Sequence, residues 1–159
     1  MSFFTKLFGT DKSQNGAELN ENASRSESAV SLQEQNNDGE IVAAIVVNQK
    51  QEPEYQDGNW SNDSLLTAVI HRLCVKPKFQ GRGIASTVMR YAENNLKKEK
   101  YNDIRLDAFS ENPYAIKLYK SLNYKEAGEI YFRKGRFILF EKVLQEHKNI
   151  QNLLKEEIK

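Results

Sequence analysis

Six consecutive residues, Gln80-Gly81-Arg82-Gly83-Ile84-Ala85, stand between an apolar extended run and the start of a helical pattern. Glycines at such a junction let the backbone approach a ligand closely. The free N–H groups of the helix start face anionic oxygens, and Arg82 adds a positive charge. The chemistry on offer is the holding of a phosphate-bearing ligand; relief of a tight strand-to-helix turn is the structural alternative. Two side chains elsewhere in the chain can move protons. His71 lies on the extended run and has an unperturbed pKa close to neutrality. Tyr119 lies on a later helical stripe, where a tyrosine more often packs with its hydroxyl satisfied. A histidine on a buried strand is, in the same way, commonly a hydrogen-bonded core residue.

The elements that must position these residues follow from periodicity. Residues 29–33 read as a short strand, and Asn37-Asp38-Gly39 turns the chain into residues 41–47. That second run is nearly all apolar, which suits a central strand covered on both faces. Residues 49–64, with Pro53, Asp57-Gly58 and Trp60, read as a loop. Residues 65–75 form a third strand, on which His71 shares a face with Val69 and Leu73, and Pro77 stops it. After the glycine turn, Ile84, Val88, Tyr91 or Ala92, and Asn95 or Leu96 recur at helical spacing, and Lys97, Lys98 and Lys100 suit the negative end of the helix dipole.

Residues 104–109 alternate as a strand. Asn112-Pro113 then supplies an oxygen-bearing cap followed by a preset φ, opening a helix with Ala115, Leu118, Tyr119 and Leu122 on its stripe. Asn123 can take the left-handed cap. Residues 124–132 and 137–143 flank Arg133-Lys134-Gly135 as a hairpin, and Ile150, Leu153, Leu154 and Ile158 give residues 145–159 a helical stripe that could pack on the domain or form a homodimer contact. A strand-helix-strand unit makes its strands parallel, whereas hairpins make theirs antiparallel. The fold class is therefore α/β (α+β), a mixed, mostly antiparallel central sheet with one parallel strand-helix-strand crossover.

Three phosphate-binding schemes compete for the glycine turn. A nucleotide triphosphatase loop needs Lys and Ser or Thr after its last glycine, where Ile84-Ala85 stands. A dinucleotide fold would read Gly81-x-Gly83-x-x-Ser86, with Asp103 for a ribose, but usually requires two mononucleotide halves. In the third scheme, Gln80-x-x-Gly83-x-Ala85 resembles the Q/R-x-x-G-x-G/A signature of the GNAT superfamily of N-acetyltransferases. Residues 70–77 look like that family's central strand, and Asn112-Pro113-x-Ala115-x-x-Leu118-Tyr119-x-x-x-Asn123-Tyr124 looks like its next motif.

The resemblance implies a GNAT-like fold and direct acetyl transfer from acetyl-CoA to a primary amine on a small molecule or peptide. It also implies roles. The Leu73 and Val75 amides would meet the pantetheine arm, with Leu73 as oxyanion donor, and the amides of Gln80, Gly81, Arg82, Gly83, Ile84 and Ala85 would hold the pyrophosphate. Asn112 would bond the cofactor arm or a bound water, and Tyr119 would be the general acid. His71 is a candidate base by its intrinsic pKa, with Glu52, Glu54 and Asp107 as other possibilities. Cys74 within an apolar strand reads as inert rather than as an acetyl carrier. Family members usually carry a strand and two helices ahead of the hairpin, and here that region reads as lacking them, so a non-catalytic acyl-CoA-binding domain is the rival function.

Composition bounds the rest. The chain has 159 residues and a formal net charge of +1, with 39% hydrophobic residues. That size supports one core without a metal or disulfide. The near-neutral balance argues against nucleic acid as the main partner, and the apolar runs are too short to span a membrane. One cysteine, Cys74, fits a cytoplasmic protein, and His71 and His147 lie too far apart in sequence to suggest a metal site. Residues 1–40 carry seven acids against three bases, a net of −4, which leaves +5 for the remainder. Residues 1–27 therefore read as a polar, flexible leader, residues 28–144 as the domain and residues 145–159 as a C-terminal helix. Within the leader, Phe3, Phe4, Leu7 and Phe8 have the spacing of a short helix, a segment that docks on the domain or frays rather than one that anchors on a membrane, because Lys6 is its only nearby cation.

Overall fold

A computed structural model describes residues 7–8, 30–35, 40–61 and 66–145. Strands β1 (Leu7–Phe8), β2 (Val30–Gln35), β3 (Ile41–Asn48) and β4 (Thr67–Val75) precede helix α1 (Ile84–Lys98). Strand β5 (Asp103–Phe109), helix α2 (Pro113–Ser121), β6 (Lys125–Phe132) and β7 (Gly135–Val143) follow. The strands form one sheet in the order β1-β2-β3-β4-β5-β7-β6. Within it only β4 and β5, the two strands joined through α1, run parallel. This is the mixed sheet that the element order implies.

Three expectations are corrected. Leu7 and Phe8 are extended, pairing with Glu34 and Gln33, so a short first strand stands where a helical face was expected and the hairpin's usual preceding strand was thought missing. The open edge of β2 offers unpaired backbone groups, and pairing satisfies them. Strand β3 buries Val42, Ala43, Ile45 and Val47, while Ala44, Val46 and Asn48 are only half-buried, so it is covered fully on one face. The loop after β3 contains a 3₁₀ turn, Pro53–Asp57, that buries Tyr55. The remainder of the leader, the Asn37-Asp38-Gly39 turn and residues 146–159 lie outside the described residues.

The two faces of the sheet carry separate cores. On one, Ile45, Ile70, Ile104, Leu106 and Phe140 pack under Ile84, Val88, Met89, Ala92 and Leu96 of α1 and Tyr119 of α2. Each such large apolar side chain gains about 1.5–3 kcal/mol from leaving water. On the other, Tyr55, Val69, Ala127, Ile130 and Leu139 cluster, with Trp60 against them. Strand alternation sends Ile104, Leu106 and Ala108 of β5 to the helices, and Asp103, Arg105 and Asp107 to the opposite face.

That face holds a buried ion pair. The Arg105 Nε lies 3.1 Å from Asp103 Oδ2, Thr67 Oγ1 donates to Asp103 Oδ1 at 2.7 Å, and the guanidinium stacks 4.4 Å from the Trp60 ring. Local signals also hold at α2. The Asn112 side chain accepts from Ala115 N at 3.1 Å, and Asn123 takes φ +65° just beyond the helix.

The Phe140 ring is fully buried between both helices' packing and the sheet, whereas the Asn112 cap is exposed. Phe140→Ala should lower unfolding free energy by about 3–5 kcal/mol and Asn112→Ala by about 1 kcal/mol in urea titrations. Equal losses would contradict this division between core and cap.

Candidate active site

Strands β4 and β5 pair from Thr67/Asp103 to Ile70/Leu106 and no further, although β4 continues to Val75 and β5 to Phe109. The reason lies on the other side of β4. Val46 faces Arg72 and Val47 faces Ile70, so His71 is an extra residue, a β-bulge. The bulge bends β4 away from β5 and resets which residues face the helices. Before it Ala68 and Ile70 belong to the helix-side core; after it Leu73 and Val75 do. The expected shared face of Val69, His71 and Leu73 therefore does not form, since Val69 lies in the opposite cluster.

The bend leaves backbone groups facing the opening. Lys76 N–H donates to Val42 O at 2.9 Å. Antiparallel alternation then turns the N–H groups of Arg72 and Cys74 toward β3 and those of Leu73 and Val75 away from it, to the side β5 has left. The Val75 carbonyl is occupied by Gln80 Nε2 at 3.0 Å.

Beyond β4, a 3₁₀ turn (Pro77–Phe79) leads into the glycines. Gln80 N–H donates to Pro77 O at 3.2 Å, so that amide is not among the free ones, contrary to expectation. Gly81 and Gly83 have φ of +72° and +77°, and a Cβ on either would meet no atom within 4 Å. Glycine is thus required by the backbone, and the space in front of it is open. The first described bond of α1 runs from Thr87 N to Gly83 O. The N–H groups of Ile84, Ala85 and also Ser86 are therefore without intrahelical partners, and Gly83 provides no side-chain cap. Arg82 is exposed, its guanidinium 5.3 Å from the Phe79 ring, which Lys78 Nζ approaches at 5.0 Å. Glu40 holds both Lys76 and Lys78, at 3.0 and 2.9 Å, and Lys78 first and Lys76 second lower its pKa.

The titratable candidates lie within electrostatic reach of Asp107. Its carboxylate accepts from Tyr55 Oη at 2.7 Å. Burial raises its pKa above the usual carboxylate value, while the Tyr55 hydrogen bond and His71 oppose the rise. Tyr119 is 7% exposed, its ring against Tyr124 and Phe140, and its pKa is pushed up to about 12, by burial first and then by Asp107 and Cys74. No hydrogen bond to its hydroxyl forms among the described residues. Tyr55 is also raised, by burial and then by Asp107.

His71 is half-buried, and Nε2 lies 2.7 Å from Asn48 Oδ1. Lys50 N–H donates to the same Oδ1 at 2.8 Å, which fixes the amide orientation and makes His71 Nε2 the donor. In the neutral imidazole, Nδ1 is then the acceptor.

His71 and Tyr119 thus both lie within electrostatic reach of Asp107, and Leu73, Val75 and the glycine turn follow one another along the chain from β4 to α1. Asn112 stands apart as the exposed cap of α2. Cys74, expected to be shielded in an apolar strand, is exposed. Tyr55 was missed by sequence reasoning; an aromatic between Pro53 and Asp57 in an otherwise polar loop was its one signal. Among the described residues no cluster of His, Cys, Asp and Glu is arranged to hold a metal, and no helix is long and apolar enough to cross a membrane.

Comparison with known proteins matches this arrangement. A family model described as the acetyltransferase (GNAT) family matches residues 3–124. An uncharacterized N-acetyltransferase of Bacillus subtilis, YesJ, is 27% identical over 90 residues, which is 56% of this chain and 50% of that protein. The match thus spans about half of that relative. The ribosomal-protein-S18-alanine N-acetyltransferase of Escherichia coli superposes with a TM-score of 0.59 at 20% identity, over 76% of this chain and 73% of that one. The Salmonella typhimurium protein yncA, solved with its cofactor acetyl-CoA, gives 0.59 at 15% identity, over 76% and 67%. At these identities the two solved structures speak for the fold. The family match itself runs through the parted strands, the glycine turn and Tyr119, and on that span the chain belongs to the GNAT family of acetyltransferases.

Proposed function

We propose that the protein transfers an acetyl group from acetyl-CoA directly to a primary amine, on a small molecule or a peptide. The observation that carries this reading is the parting of β4 from β5 after Ile70, which leaves the Leu73 and Val75 amides on an unpaired side of β4, with Asp107 within electrostatic reach of Tyr119. An acyl-pantetheine arm fits such an opening because its amides need backbone partners that a paired strand could not spare. The pyrophosphate fits the turn, where two positive-φ glycines leave open space before the N–H groups of Ile84, Ala85 and Ser86 and beside Arg82.

Acetyl-CoA, when bound, supplies the activated acyl group as a thioester. The Leu73 N–H donates to the acyl oxygen as charge develops there. Asp107 takes the amine's proton, because burial makes its carboxylate more basic than an exposed one while the Tyr55 hydroxyl holds Oδ1 in place. When protonated, His71 stabilises the ionised carboxylate; when neutral, its Nδ1 is the second candidate for the proton. Tyr119, protonated throughout the neutral range, gives its proton to the departing thiolate.

A second reading, a binding domain without turnover, is favoured by the exposure of Arg72 and Cys74 on the strand that borders the opening. Thermal stabilisation by acetyl-CoA followed by thiol release against a panel of amines separates the two. No stabilisation refutes both, and stabilisation without release on a broad panel selects the second.

Tyr119→Phe should lower kcat about 100-fold while leaving acetyl-CoA affinity nearly unchanged; an unaltered kcat removes Tyr119 from the reaction. Asp107→Asn should lower kcat/KM about 100-fold and abolish the fall in rate at acid pH, whereas His71→Gln should cost less than about tenfold. A larger loss for His71→Gln reassigns the base.

The Asp107 substitution has an opposite effect on stability. The folded pKa lies above the unfolded one, so the native state binds the proton more tightly and stability declines as pH rises through that interval. At pH 7 the Asn variant should therefore resist urea at least as well as the wild type; a clear loss would mean that the carboxylate is structural.

A further inference from the structure

Two lysines stand just ahead of the glycine turn, and one acid holds both. Lys76 Nζ and Lys78 Nζ lie 3.0 and 2.9 Å from the same oxygen, Glu40 Oε1. The sheet brings Glu40 there. It directly precedes β3, whose first residues run antiparallel to the end of β4, with Lys76 N–H donating to Val42 O. Lys78 first and Lys76 second lower the pKa of Glu40, so the carboxylate stays ionised through the neutral range.

Lys78 is tied to the turn as well as to Glu40. Its ammonium lies 5.0 Å from the centre of the Phe79 ring, and the Arg82 guanidinium lies 5.3 Å from that same centre. Phe79 packs against the helix-side core, so its ring is a fixed platform that keeps Lys78 near Arg82, the residue between Gly81 and Gly83. Glu40 cancels one of the positive charges that Lys76, Lys78 and Arg82 bring to this end of the sheet. Its hold is weak, because both lysines are exposed and an exposed ion pair gains little against water and salt. Each ammonium also sits on a flexible stem with rotatable donors. An anion at the turn can therefore draw a lysine from the carboxylate, exchanging one oxyanion for another.

We propose that Glu40 sets the affinity of the glycine turn for CoA, by holding Lys76 and Lys78 in competition with the cofactor's phosphates. The assignment rests on the acetyl-CoA reading above. CoA is anionic at both its pyrophosphate and its ribose phosphate, so Glu40 opposes binding by occupying the lysines those groups would attract. The contrary role, in which Glu40 steadies the 3₁₀ turn and holds the lysines ready for the cofactor, predicts the opposite sign: removing the carboxylate would then weaken binding.

Calorimetric titration of the full chain with CoA tests this. Glu40→Gln should lower the Kd about fivefold at low salt, the scale of a charge-assisted hydrogen bond gained at an exposed site. The gain should shrink below about twofold in about 0.5 M salt, where screening acts within a few ångströms. In a chain that also carries Lys76→Gln and Lys78→Gln, the Glu40 substitution should change the Kd less than about twofold, because the groups it competes for are gone. An unchanged or raised Kd in Glu40→Gln overturns the assignment, as does an equal gain in the chain without the two lysines. A wild type that takes up no CoA refutes the acetyl-CoA reading, and this assignment with it.

Discussion

Strand β4 can pair along its whole length with β5 or offer its backbone to a ligand, and it cannot do both. The extra residue at His71 decides between these states. Four ladder positions are formed, from Thr67 to Ile70, and the remaining length of β4 is turned out of the ladder. Buried backbone groups left unpaired cost about 1–3 kcal/mol each, so the opening persists only because the rest of the fold holds it. On one side β3 keeps full pairing with β4 through Val75. On the other β7 pairs with β5 along its whole length, from Asp103 to Phe109. The helices α1 and α2 pack across the apolar face and leave the parted ends nowhere to close. A ligand that supplies backbone partners in the gap completes a ladder that the chain alone leaves open.

The groups proposed for proton transfer come from both faces of the sheet. Tyr119 belongs to the helix-side core, and Asp107 accepts from Tyr55 of the β3–β4 loop on the other side. The loop is fastened by the Trp60–Arg105 stack and by Asn59 N–H to Ala127 O at 2.6 Å. That fastening carries Tyr55 into the opposite core and sets its hydroxyl on Asp107. Burial of Asp107 opposes its ionisation, so the feature that makes it a better base also works against stability. Structural and chemical demands are in this way separated between neighbouring acids of β5: Asp103 is paired and neutralised by Arg105, and Asp107 is not.

Much of this was legible in the chain because it is local. The glycine turn, the Asn112-Pro113 start, the left-handed Asn123 and the alternation of β5 each depend on residues a few positions apart, and each formed as read. The bulge at His71 depends on register with β3, more than twenty residues away, and residues 65–75 read equally well as an uninterrupted strand. The facing of His71 was misread for that reason. Tyr55 and Asp107 lie 52 residues apart and meet only through the folded loop. Leu7 and Phe8 have the spacing of a helical face, yet the free edge of β2 makes them a strand. The Gln80 amide was expected in the cradle, and the 3₁₀ turn before it, invisible to periodicity, takes that donor away.

The central claim is that β4 leaves the Leu73 and Val75 amides open as the binding surface for acetyl-CoA. Amide hydrogen exchange resolved by residue, with and without acetyl-CoA, tests it most directly. The account predicts fast exchange at Leu73 and Val75 in the free protein, strong slowing at both when acetyl-CoA is present, and little change at Arg72 and Cys74, whose N–H groups already face β3. Slow exchange at Leu73 and Val75 in the free protein, or no change at them on saturation with acetyl-CoA, would contradict it.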